Sequence, residues 1–389
     1  MHQARHMGIG IILLMWAIVV SQAHGESWTV RLSTAVQNQS LAELIHPLSE
    51  DLSRSVLDEK TPPEKLIELS AAYRFAVFFS RAPISDDLDK ACLLWLVQHP
   101  RLMQTLCLAL GPTERPDAVL SVLRALYRTD RETMADWPDL VTALVVVWDE
   151  PRRESSDDPA ARGDWAVQLY DYYTRNNRRL RYDLRSMPWN LQIYVVDLVI
   201  SREEMIWAWD RYNQRGDVGG FYFDVPYDKA AFYQGEDKKI DALAYTLDNL
   251  QKHGGICTDQ AYYATQIGRL LGVPTVTIIG QGGAGQVAHA WVGYLARQGK
   301  KNRLGSDFRT ISRANVLDRT GRRPSNQTKH FRIRNVTFRR ASKYHVGSTV
   351  AGTVTGTGLG FVRTRSSSGN RTTVIESLSG QPRNLVETG

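Results

Sequence analysis

Cysteine is scarce in this chain, and that shortage excludes a disulfide-built scaffold. The 389 residues hold three, Cys92, Cys107 and Cys257, and an odd count leaves at least one thiol unpaired whatever else pairs. Cys92 in ACLLWLV and Cys107 in LMQTLCLAL lie on apolar helical patterns. Both read as buried packing, with a Cys92–Cys107 bridge as the alternative. Long apolar runs are scarce as well. Gly8 to Val20 is an unbroken run of 13 residues, too short to span a bilayer comfortably. It follows Arg5 and precedes small residues at Ser21-Gln22-Ala23 and Ala23-His24-Gly25, the layout of a secretory signal. Residues 1–25 are therefore expected to be a signal peptide. The mature protein is expected to be secreted or to lie in the periplasm or cell envelope, without a stable membrane span.

Other absences narrow the function. No Gly-Lys-Ser/Thr occurs, and the glycines at Gly280, Gly282, Gly283 and Gly285 precede a strand pattern instead of a helix. A phosphate loop is excluded on both counts. No fixed repeat length is visible, which argues for an irregular helical array over a peptide-binding solenoid. Aromatic residues end at Phe361. Acidic residues thin out over the same region: Phe308 to Gly389 holds 15 Lys/Arg and 3 Asp/Glu, so the rest has 33 basic against 38 acidic residues. The formal net charge of +7 thus belongs to the tail. It is no evidence that the folded body binds nucleic acid, and no nucleic-acid partner is expected.

What is present divides into four stretches. After the signal, residues 26–200 carry apolar residues at three- and four-residue spacing in LIELSAAYRFAVFF, ACLLWLVQ, DAVLSVLRALYR and DLVTALVVVWD, so they form an α-helical region. Pro62-Pro63, Gly111-Pro112, Pro116 and Pro138 punctuate it. Ser85 and Asp117 stand where N-caps belong. Pro151 to Asp164 is the clearest polar break, and Trp165 to Arg175 and Trp189 to Ile200 then resume the helical pattern. Residues 201–310 form the second region. Within it, Phe221 to Tyr233 packs six aromatics into 13 residues, a core or seam first and a substrate platform second. Residues 311–389 are a basic low-complexity tail rich in Arg, Ser, Thr and Gly. It is expected to be disordered apart from one strand between His330 and Arg340. Asn38, Asn326, Asn335 and Asn370 fit the glycosylation pattern, which bears only on a eukaryotic secretory pathway.

The chemistry concentrates between Gly254 and Leu295. Lys238 to His253 reads as one helix, with Ile240, Leu243, Ala244, Leu247 and Leu250 on a face and Gly254 at its left-handed stop. His253 there complements the helix end. Cys257 opens the next helix, and Gly272-Val273-Pro274 ends it. A thiol at a helix N-terminus meets the positive end of the dipole and unpaired N–H groups, which favour thiolate and can hold an oxyanion. Thr275 to Ile279 and Val287 to Leu295 read as strands. His289, in the second strand and 32 residues after Cys257, is the candidate base that takes the thiol proton and returns it to a leaving group. Such a histidine needs a third group to fix its tautomer. Asp307 is the candidate, ahead of Asn302.

Gly255-Ile256-Cys257 with Ala261, Leu271-Gly272-Val273-Pro274 and His289-Ala290-Trp291-Val292 together resemble the transglutaminase-like superfamily, over about Asp237 to Arg309. The order Cys, His, Asp matches. KKNRLGSDFRT lacks the aromatic-rich strand usual around the aspartate. The resemblance implies an α+β, papain-like fold with a Cys-bearing helix packed on an antiparallel sheet. It also implies acyl transfer from a peptide glutamine or related amide through a thioester, to a lysine amine or to water. The partner so implied is a protein or peptide substrate. Gln251, six residues before Cys257, stands at the spacing of a papain-like oxyanion glutamine. Calcium serves some animal members, but no acidic loop here demands it, and neither metal nor cofactor is expected.

Overall fold

A computed structural model describes residues 27–112, 114–150, 159–281 and 288–295, together with short strands between residues 334 and 383. The predicted signal peptide, Asn302, Asp307 and most of the tail lie outside the described residues. The chain divides into two compact units, Met1–Leu108 and Ala109–Gly389. Helices over 109–200 therefore belong to the unit that carries the sheet.

The first unit is wholly helical where described. Its helices are α1 (Trp28–Asn38), α2 (Ile45–Leu57), α3 (Pro63–Phe79), α4 (Asp87–Gln98) and most of α5 (Pro100–Ala109). α1 packs on α4 and α2 on α3. Leu32, Phe75, Phe79, Leu93 and Leu96 fill the core at 2 % exposure or less. Cys92 and Cys107 are buried free thiols, as their apolar settings predict. The caps differ from expectation by one residue. Asp86, not Ser85, caps α4 by accepting from the Asp89 N–H at 2.8 Å, while Ser85 bonds to the Asp89 carboxylate.

The second unit continues with α6 (Pro116–Met134), α7 (Pro138–Trp148), α8 (Pro159–Asn176), α9 (Trp189–Val196) and α10 (Arg202–Tyr212). Asp117 sits in the first turn of α6, its carboxylate paired with Arg115, the residue at the cap. α6 packs on α8 and α7 on α9. After the short α11 (Lys229–Tyr233) come α12 (Leu247–His253) and α13 (Cys257–Leu270). The single helix expected over 238–253 is thus corrected. It breaks into a 3-10 turn, Lys239–Ala242, and α12. Thr246 causes the break: its hydroxyl caps α12 by accepting from the Asn249 N–H, which needs extended backbone at 246.

Helix α13 is the axis of this unit. It lies against β1 (Thr275–Gln281), β2 (Ala288–Tyr294), α9, α10 and the 3-10 turn Gly219–Asp224. Nearly every residue on it is buried, Gln260, Thr265, Gln266 and Arg269 included. β1 and β2 run antiparallel, with Ile279 opposite Ala290 and Gly280 opposite His289. β3 (Arg334–Phe338) pairs antiparallel with the other edge of β1, giving the order β2-β1-β3 and falling where alternation predicts a tail strand. Short antiparallel pairings join β4 (Gly347–Thr349) to β5 (Thr353–Thr355), and β6 (Val362–Arg365) to β7 (Arg371–Glu376) and β8 (Pro382–Arg383). At these segments the tail departs from the expected lack of regular structure. β-Branched Thr, Val and Ile recur in them, and such residues suit a pleated surface. The protein is therefore mostly helical, with a small antiparallel sheet. Among the described residues no helix is long and apolar enough to cross a membrane.

Candidate functional site

The turn before Cys257 is fixed from both sides. Gly255 pairs in a parallel bridge with Tyr227. Its N–H donates to the Pro226 carbonyl and its carbonyl accepts from the Asp228 N–H, both at 2.9 Å. The aromatic stretch 221–233 is thereby strapped to the residues that lead into the helix. Gly254 has φ +84°, which only glycine adopts readily, and a Cβ there would meet the Pro226 carbonyl oxygen at 2.5 Å. A Cβ on Gly255 would meet Asp259 Cβ at the same distance. Both glycines are required by close approach and not merely by the turn.

Asp259 locks the helix start. Its carboxylate accepts from the Ile256 N–H at 2.8 Å, from Tyr245 Oη at 2.8 Å and from Lys238 Nζ at 3.1 and 3.3 Å. The first of these satisfies a helix-terminal donor that has no intrahelical partner. Lys238 also reaches Asp241 at 3.4 Å. A buried carboxylate close to a thiol disfavours thiolate, and the ammonium on the carboxylate offsets that. Neither Lys238 nor Tyr245 is recognisable as a partner of this site from sequence spacing.

Cys257 is 4 % exposed. Burial pushes its thiol above the ordinary value. Backbone N–H groups of Ala290 and Thr258 that donate toward the sulfur pull it down, and the Asp259 charge pushes it up again. The helix-terminus argument, which favours a thiolate, is therefore overturned in its net effect. The N–H groups act as expected, but desolvation outweighs them. The neighbour on the strand side is informative. Ala290 follows His289, so β2 brings the backbone of the His-Ala-Trp motif directly to the nucleophile helix. Tyr222 Oη donates to the Ala290 carbonyl at 2.9 Å, and Tyr222 and Tyr227 both interact electrostatically with Cys257.

The candidate residues are thus placed as follows. Cys257 and the backbone at 289–290 meet. Gln251 stands on α12, the helix before Cys257, and its amide donates to Tyr212 Oη at 3.0 Å. Tyr212 in turn bonds to Tyr263 of α13. Asp307 and Asn302 lie outside the described residues. Among the described residues no cluster of three or more His, Cys, Asp or Glu could hold a metal.

Exchanging Asp259 for asparagine is expected to move the pH dependence of Cys257 alkylation downward, because the nearby negative charge is gone. It is also expected to lower stability by about 1–3 kcal/mol, because hydrogen bonds to a buried charge weaken. Lys238→Met should move the alkylation profile the other way. Alkylation rates against pH, with urea unfolding of each variant, check both signs. Profiles that coincide with the wild type would remove Asp259 and Lys238 from the electrostatics of the thiol.

Comparison of the chain with protein-family models, with curated proteins and with solved structures returned no match.

Proposed function

We propose that the chain is an exported thiol-dependent acyltransferase or amidase built on a transglutaminase-like core. The single observation that supports it most is the meeting of the Cys257 sulfur, at the start of a buried helix, with the N–H of Ala290, the residue after His289. In this proposal His289 removes the thiol proton as sulfur attacks the carbonyl carbon of a peptide amide or glutamine side chain. The C–N bond then breaks, the amine leaves with the proton, and a thioester remains on Cys257. Water or an amine attacks the thioester, and its proton passes through His289 back to sulfur. The N–H groups at the start of α13 stabilise the oxyanion in both halves, with Gln251 as the further donor carried by the family resemblance. Asp307 is the proposed group that orients His289.

A resting thiol that burial keeps protonated suits this order of events. The base must act during attack, as it does on a serine, instead of drawing on a preformed thiolate. Alkylation of Cys257 by iodoacetamide is therefore expected to rise with pH to beyond the ordinary thiol value of about 8.5, with His289→Ala slowing it by about 10²-fold or more near neutral pH. Mass spectrometry of the intact chain reads the rate, and buried Cys92 and Cys107 serve as internal references. An identical rate in His289→Ala would sink the catalytic proposal.

A non-catalytic binding protein on a degenerate core is the rival. Two observations favour it. The thiol is closed off from solvent, and the first unit holds a cleft of about 470 Å³ floored by Trp28, Leu32, Ala72 and Met103.

A further inference from the structure

The aromatic stretch 221–233 divides into buried and exposed rings, and the division follows distance from Cys257. Phe221 is fully buried against Tyr212. Tyr222 and Tyr227 interact electrostatically with the sulfur and with each other. From these two, rings continue outward in edge-on contact. Tyr222 meets Phe223 at 5.2 Å between centroids, Tyr227 meets Phe232 at 5.6 Å, and Phe232 meets Tyr233 at 5.0 Å. The outer members are open to solvent, Phe223 at 51 % and Tyr233 at 74 %. Water-facing aromatic rings are costly to leave uncovered, and core packing does not need them there. Beyond Tyr233, Glu236 and Asp237 are exposed and form no ion pair among the described residues.

We infer that Phe223, Tyr227, Phe232 and Tyr233 form the acyl-donor subsite, which takes a peptide whose residue beside the reacting amide is aromatic or large and apolar, followed by a basic residue that faces Glu236 and Asp237. This rests on Cys257 being a nucleophile. Two facts select that occupant over an unspecified apolar partner. The ring series starts at the sulfur, so a side chain seated on it places the adjoining carbonyl at the thiol. The far end is acidic, so an acidic peptide is repelled and a basic one is attracted. Offset and edge-on ring contacts also select ring geometry, beyond simple burial of area.

The test compares three electrophiles on the full chain: iodoacetamide, its N-phenethyl derivative, and the same derivative with a para-aminomethyl group. Second-order rates at Cys257 are expected to rise by about tenfold from the first to the second, and by a further few-fold to the third in a salt-sensitive manner. In Phe223→Ala and Tyr233→Ala the ratio of the second rate to the first should collapse toward one. Both positions are exposed, so circular dichroism should report an unchanged fold. Three equal rates in the unaltered chain would overturn the subsite while leaving the nucleophile standing. If none of the three, the small parent included, alkylates Cys257, the nucleophile fails and the subsite with it.

Discussion

Arg269→Met is expected to cost about 3–5 kcal/mol, the largest effect of any single substitution considered for this protein. Arg269 lies near the end of α13 with its side chain 5 % exposed. Its Nη2 stands 2.8 Å from Asp197 Oδ2, which is equally buried. Its Nε donates to the Thr275 carbonyl at 3.3 Å, and Nη1 donates to the Asp197 carbonyl. The guanidinium therefore ties α13 to the residue after α9 and to the first residue of β1. Methionine matches the stem but leaves the Asp197 carboxylate buried without its cation, and that uncompensated charge dominates the cost. Against a typical total of 5–15 kcal/mol, the melting temperature should fall by on the order of 10 °C. The double variant Arg269→Met, Asp197→Leu should recover most of the loss, because an apolar pair of similar volume has no charge to desolvate. Thermal unfolding by circular dichroism compares the three. A single variant that melts within about 2 °C of the parent would show that the pair does not tie these elements together.

The second large effect is alkaline. Burial raises the phenols of Tyr172, Tyr173, Tyr194 and Tyr222, and burial with the Tyr212 bond raises Tyr263. Tyr170 and Tyr212 are pushed up to about 12 by burial, as is the Cys107 thiol. Several of these phenols hold the unit together as donors. Tyr172 donates to the Leu270 carbonyl at 2.8 Å, and Tyr173 to those of Val195 and Arg269 at 2.9 and 3.2 Å. Each group has a folded value above its unfolded one, so the folded state keeps a proton that the unfolded chain releases. The stability this contributes is complete below the ordinary thiol and phenol values of about 8.5 and 10 and is lost as pH rises through the folded values. Urea midpoints should be level near neutrality, turn down above about pH 9 and fall steeply above about pH 10, by up to 1.4 kcal/mol per pH unit per group. Phenolate absorbance and helix content should change together. Buried phenols that titrate near their free value with the helices intact would contradict this.

Much of the site was legible in residue order. Glycines, then Cys257, then a helix closed by Gly-Val-Pro and two strand patterns are local signals, and the structure forms each element there. The pairing of β1 with β2 also follows from adjacency. The surroundings of the site were not legible. Gln260, Thr265, Gln266 and Arg269 give α13 the look of a half-exposed helix, yet each is buried and matched: Gln260 with the Val225 carbonyl, Thr265 with Thr275 and Thr277, Gln266 with the Val199 N–H, and Arg269 with Asp197. A polar residue that finds a distant partner leaves no periodic trace in its own segment.

The nucleophile shows the same division. Sequence by itself determined that a cysteine stands at a helix N-terminus, where N–H groups favour its anion, and that a histidine follows in the second strand. Only the tertiary structure decided the protonation of that thiol. Covering Cys257 with β2 and the aromatic stretch removes the water that would solvate a thiolate, while Asp259 adds a negative charge beside it. Local sequence fixes which dipoles a group meets. Desolvation depends on everything that packs over it, and here it prevails.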